Sequence, residues 1–153
     1  MSSFHLPLFG SIAPGGFYEA TTIIAGRPLT VRADFEETGE LDHAVIAALT
    51  AFLSALEERV RAARQAITAG FAEDEDWAGV YIHHHLATTL IDAPATATPE
   101  QLARHLFPDC VWLSAAAEEP AIIDFTVGKQ YTDCVLKVSF DATGSVTCIT
   151  MES

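Results

Sequence analysis

Hydrophobic and polar positions divide the chain into three stretches of different period. From Phe4 to about Glu37 the pattern is strand-like: Phe17, Tyr18, Thr21, Thr22, Ile23 and Ile24 lead into Ala25 and Gly26, after which Leu29, Val31, Ala33 and Phe35 alternate with Thr30, Arg32 and Asp34. A period of two on either side of a glycine turn predicts a β-hairpin with one buried face. Gly10, Pro14, Gly15 and Gly16 punctuate the preceding segment, which leaves room for no more than a short lead-in strand over Leu6 to Phe9.

The middle stretch has the helical period. Leu41, Val45, Leu49, Phe52, Leu56, Val60, Ala63 and Ile67 recur at steps of three and four, the apolar stripe of an amphipathic helix, and alanines fill much of the remainder. A single helix of about 28 residues would be about 42 Å long. That is close to the diameter of a whole domain of this size, so it has reason to break or bend although no proline forces it. Gly70 is a stop signal. A second helix is expected after Asp76, through Trp77, Val80, Tyr81, His84 and Leu90, and a third from Thr98, whose Pro99 and Gln101 complete a capping pattern. The third should end by Phe107, because Pro108 disfavours helical geometry in the residue before it.

The last stretch returns to β. Val111 to Ala115, Ala121 to Val127, Cys134 to Phe140 and Ser145 to Met151 are strand-sized runs rich in branched and aromatic residues. Asp141, Ala142, Thr143 and Gly144 form a turn with glycine placed for positive φ, joining the last two strands as a hairpin. The pattern therefore predicts one α+β domain over residues 1–153, in which a mostly antiparallel sheet packs against about three helices. Its parts are an N-terminal hairpin region (1–37), a helical region (41–107) and a C-terminal meander (110–151). A length of 153 residues suits a single core.

Charge narrows the choice of partners. Against 21 acidic residues stand 8 basic ones, a net charge of -13. A surface of that sign repels phosphate backbones and anionic lipid, so no nucleic acid and no membrane is expected as a partner, whereas a basic protein is favoured. The charge is uneven: no lysine or arginine occurs between Arg64 and Arg104, and a second base-free stretch between Arg32 and Arg59 holds Asp34, Glu36, Glu37, Glu40, Asp42, Glu57 and Glu58. The helix-side loops are thus where a basic partner should be sought. The first sixteen residues lack a basic start followed by a long apolar core, and no apolar run is long enough to span a bilayer, which predicts a cytoplasmic chain. Cys110, Cys134 and Cys148 are odd in number, widely spaced and set among apolar neighbours, the pattern of reduced core thiols.

Candidate chemistry is sparse. His83, His84 and His85 are consecutive, so on a helix they point about 100° apart and cannot converge on one metal. They read instead as residues that cap, pair with the acidic run or pack on a helix face, and no metal site is assigned. The quartet Glu73, Asp74, Glu75 and Asp76 lacks the alternating ligands, central glycine and terminal glutamate of a calcium loop. It reads as a solvated helix start or as a contact for a basic partner. Asp124, inside the apolar run Ile122 to Val127, either is partly buried with a raised pKa or faces solvent from a half-exposed strand. With no nucleophile elbow, phosphate loop or dinucleotide fingerprint, no catalytic residue and no cofactor is expected. The candidate binding residues are Glu73, Asp74, Glu75, Asp76, His84 and Asp124.

Several runs carry a resemblance. They are Phe17, Tyr18 and Glu19, the Val31 to Glu36 strand, Tyr81 to Leu86, and Leu106 to Asp109; the most specific are Ile123 to Gly128, then Tyr131, Thr132 and Asp133, Asp141 and Gly144, and Thr150 to Ser153. In these the chain resembles a bacterial family known as domain of unknown function 2004. The resemblance implies a compact cytoplasmic α+β domain and transfers no catalytic residue. The family pattern carries an acid more often at the position of His83, so the triple histidine is a local variation on a paired one.

Three functional classes are compatible with these observations. The first is a non-enzymatic acidic domain that masks a basic partner, as bacterial immunity proteins mask toxins. The second is a small-ligand-binding or enzymatic domain with a pocket between helices and sheet. The third is a homo-oligomer that pairs through an exposed strand edge or alanine-rich helix.

Overall fold

Leu6 and Ile12, both buried, anchor the two strands of a small N-terminal hairpin in the computed structural model, which describes residues 4–70, 104–116, 118–128 and 133–152. Strand β1 (Phe4–Leu6) pairs antiparallel with β2 (Gly10–Ile12), so Pro7 to Phe9, expected as part of a lead-in strand, form its turn. The next two strands, β3 (Phe17–Ile24) and β4 (Arg27–Asp34), are the expected hairpin. Between them Ala25 and Gly26 take φ of 52° and 77°, the two left-handed residues of a type I′ turn, whose twist matches that of the strands it joins.

The stripe from Leu41 to Ile67 forms two helices. Asp42 caps α1 (His43–Ser54), its side chain accepting the Ala44 N–H at 2.7 Å. Ala55 then leaves helical geometry at φ -115° and ψ 28°, and α2 (Leu56–Gly70) follows at once. The hydrogen-bond ladder bridges the break, because the Ala55 N–H is shared by the Ala51 and Phe52 carbonyls and the Arg59 N–H bonds to the Ala55 carbonyl. Two shorter helices rest on different strands: α1 packs against β1, and α2 against β8 (Val146–Glu152) at the far side of the main sheet.

The described residues thus contain two helices and not about three, both drawn from one predicted stripe. The helices expected after Asp76 and from Thr98 lie outside the described residues. The chain is out of helical geometry before the Phe107 bound expected for the latter, since Arg104 and His105 form a turn and Phe107 begins β5 (Phe107–Ser114). Pro108 does not end a helix. It lies at a bulge between Pro108 and Cys110, one of the few sheet positions that tolerate its missing N–H.

Strands β6 (Ala121–Thr126) and β7 (Val135–Phe140) complete a six-stranded sheet in the order β3-β4-β5-β6-β7-β8. Every pairing is antiparallel except β4 with β5, which run parallel from Thr30 opposite Cys110 to Asp34 opposite Ser114. That pair joins the N-terminal hairpin to the C-terminal meander. On one face Leu29, Val31, Val111, Leu113, Ile123, Phe125, Leu136, Val138 and Phe140 are buried and share a core with Leu49, Phe52, Leu56, Val60, Ala63 and Ile67 of the helices. Each large aliphatic or aromatic side chain so buried stabilises the fold by roughly 1.5–3 kcal/mol. Phe52 and Phe140 meet edge to face across the layers, with centroids 5.1 Å apart. Among the described residues no helix is long and apolar enough to cross a membrane.

Candidate functional site

Period-two alternation places Asp124 on the sheet face opposite α1 and α2, between the core residues Ile123 and Phe125. Register sets Cys110, Asp124 and Lys137 side by side on β5, β6 and β7. Asp124 is only 7% exposed, and both of its oxygens are engaged: Oδ2 accepts from Trp112 Nε1 at 3.2 Å and Oδ1 from Lys137 Nζ at 3.0 Å. Lys137 also approaches Glu152 at 3.9 Å, while the Arg32 guanidinium lies 5.1 Å from the Trp112 ring centroid and donates to Glu19 at 2.8 Å. The result is a chain of contacts from Glu19 through Arg32, Trp112, Asp124 and Lys137 to Glu152, one residue from each strand of the sheet.

The electrostatics of this brace follow from its burial. Loss of solvent raises the Asp124 carboxyl above its ordinary range, against the lowering effect of the Lys137 and Trp112 bonds. Burial likewise pushes the Cys110 thiol up to about 11, so at neutral pH it is protonated and a poor nucleophile. Asp124 therefore ties strands together and lines none of the cavities considered below. The cysteines differ from expectation: Cys110 is buried, Cys134 is intermediate and Cys148 is exposed, because Cys148 falls on the outward face of edge strand β8. Of the other candidate residues, Glu73, Asp74, Glu75, Asp76 and His84 lie outside the described residues. Among the described residues no three His, Cys, Asp or Glu side chains are grouped to hold a metal ion.

The structure gathers acids at a place the candidate residues did not include. Phe35 is fully buried and is held in register by backbone bonds from its N–H to the Gly16 carbonyl and from the Gly15 N–H to its own carbonyl, both 2.9 Å. Leu41 is buried six residues on. Between those two anchors the chain turns its polar residues outward. Asp34, Glu36, Glu37, Glu40 and Asp42 line one side of a groove of about 830 Å³, whose other side is Ser114, Ala115 and Ala116 at the end of β5. No lysine, arginine or histidine lines it among the described residues. The groove sits at the carboxyl ends of the parallel strands β4 and β5, where the chain leaves the sheet and small residues on β5 leave room. The base-free stretch from Arg32 to Arg59 is the signal in the sequence that points here.

Compared with known proteins, the chain matches no family model, no curated protein and no solved structure.

Proposed function

We propose that the protein is a non-enzymatic binding domain that takes a basic polypeptide segment into the acidic groove beside Asp34 to Asp42, acting in the cytoplasm. The observation that carries this reading is the gathering of five carboxylates, without a described cation among them, around an open groove of about 830 Å³. Five carboxylates lining one groove give it a negative potential that a lysine- or arginine-rich segment complements. Association would be steered by charge and weakened by salt, as in immunity proteins that mask a basic toxin surface. With this function we propose membership of the domain-of-unknown-function-2004 family, on the runs Ile123 to Gly128 and Thr150 to Ser153.

The test compares the wild-type chain with the triple variant Glu36→Gln, Glu37→Gln, Glu40→Gln as bait in lysate of the source cell, at low and high salt. All three side chains are exposed, so the variant should fold as the wild type does. A basic protein recovered by the wild type at low salt, released at high salt and lost in the variant supports the reading. Recovery that does not depend on the groove acids, or no basic protein at low salt, overturns it.

A further inference from the structure

At the opposite ends of β4 and β5 the sign of the charge reverses. A cavity of about 610 Å³ opens there between α2, the β3–β4 turn and the start of β5, and Arg27, Arg64 and Arg104 line it together with His105. These are three of the chain's eight basic residues, and no carboxylate lines the cavity among the described residues. In a chain with 21 acids, three arginines lining one cavity make a local field opposite in sign to that of the acidic groove, one that complements an anion.

The guanidinium groups are also positioned. Arg27 lies over the Phe107 ring at 4.1 Å from the centroid, and Arg64 lies 5.6 Å from that of Phe125 while Nη1 donates to the Leu106 carbonyl at 2.8 Å. Stacking on a ring restricts a long side chain before any ligand arrives, so less conformational entropy is lost on binding. Burial, seconded by the nearby charge of Arg27, lowers the Arg64 pKa, which places the two cations within each other's field. The remaining lining is apolar, with Ile24, Val60 and Val127 among it.

We infer that this cavity binds a small organic anion, a carboxylate or phosphate ester whose charged end meets Arg27, Arg64 and Arg104 and whose apolar body lies along Ile24, Val60 and Val127. Guanidinium forks match the paired oxygens of both groups. The site is separate from the acidic groove, and neither depends on the other.

The experiment is calorimetric titration of the full chain with phenyl phosphate, benzoate and, as the neutral counterpart, benzyl alcohol, all at one ionic strength. Saturable binding of at least one of the two anions and none of the alcohol is expected, and the anion preferred identifies the charged group. The variant Arg27→Gln, Arg104→Gln alters exposed side chains and should bind about tenfold more weakly or worse, the equivalent of about 1.4 kcal/mol. Arg104→Gln alone provides the same test at smaller amplitude should the double variant not fold. Arg61→Gln, on an exposed part of α2 outside the cavity, should bind as the wild type does. Failure of both anions to bind, equal binding of benzyl alcohol, or undiminished binding in the folded arginine variants overturns the inference.

Discussion

Asp124 shows how a single residue can look like chemistry in the sequence and prove to be architecture. An acid within an apolar strand invites a binding-site reading, yet its two oxygens are taken by Trp112 and Lys137 and its neighbours on the pleat are core. Because burial raises its pKa, the folded state holds the proton more tightly than the unfolded chain does. Linkage then requires its contribution to stability to be fully present below the unfolded pKa and to be lost as pH rises through the folded one. Asp124→Asn removes that titration. Urea unfolding of both proteins at micromolar concentration, from pH 3 to pH 7, should show the wild type losing ground to Asp124→Asn as pH rises and then holding a constant difference. A wild type that gains on the variant with rising pH would mean that Lys137 outweighs burial and that the carboxylate is a net stabiliser.

Among the elements, the two hairpin turns make opposite use of left-handed backbone. At Gly144, φ is 81°, the turn is closed by Asp141 Oδ1 accepting from the Thr143 and Ser145 N–H groups, and the Arg59 guanidinium fills the space a Cβ would need while bonding to the Gly144 carbonyl at 2.9 Å. Gly144→Ala should therefore destabilise by the roughly 1–2 kcal/mol of a left-handed non-glycine residue, with the flexible Arg59 side chain moving aside. Ala25 already bears such a cost at φ 52°, in open turn surface beside Gly26. Ala25→Asn, which supplies the residue most at ease there, should stabilise by roughly 0.5–1 kcal/mol. Thermal unfolding of the two variants beside the wild type checks both signs. These turns were legible because a tight turn is determined by adjacent residues, and Ala25-Gly26 and Asp141 to Gly144 declare themselves locally. The parallel pairing of β4 with β5 was not, since it joins segments separated by the whole helical region and leaves no periodic trace in either. Pro108 concealed the start of β5 because proline is read as a breaker unless the bulge that accommodates it is known. The division of one apolar stripe at Ala55 was legible only as a length too great for the domain. It is set by the separate strands on which α1 and α2 rest. The arginine cavity was invisible for the same reason as the parallel pair: Arg64 and Arg104, which bound a base-free stretch in the sequence, are brought together with Arg27 only by the fold.

For the molecule as a whole, the net charge of -13 resolves into a polarity along the parallel pair, acids at the carboxyl ends of β4 and β5 and arginines at their starts. Attraction within the fold does little to offset the excess. The ion pairs among the described residues are Arg32 with Glu19, and Lys137 with Asp124 and Glu152, the first of them well exposed and so worth little. Self-repulsion should then dominate the response to salt, because a compact chain of high net charge gains when its own field is screened. Raising potassium chloride from about 10 mM to about 150 mM shortens the Debye length from about 30 Å to about 8 Å. The melting temperature should rise over that interval, and the rise should be smaller when Glu36, Glu37 and Glu40 are replaced by glutamine, since the excess of acids is then reduced by three. A fall in melting temperature would mean that the brace through Lys137 outweighs the repulsion among the acids. Replacing chloride by phenyl phosphate at fixed ionic strength separates screening from occupation of the arginine cavity: screening depends on ionic strength alone, whereas an anion seated between Arg27, Arg64 and Arg104 adds stabilisation that grows with its concentration and is lost in Arg27→Gln, Arg104→Gln.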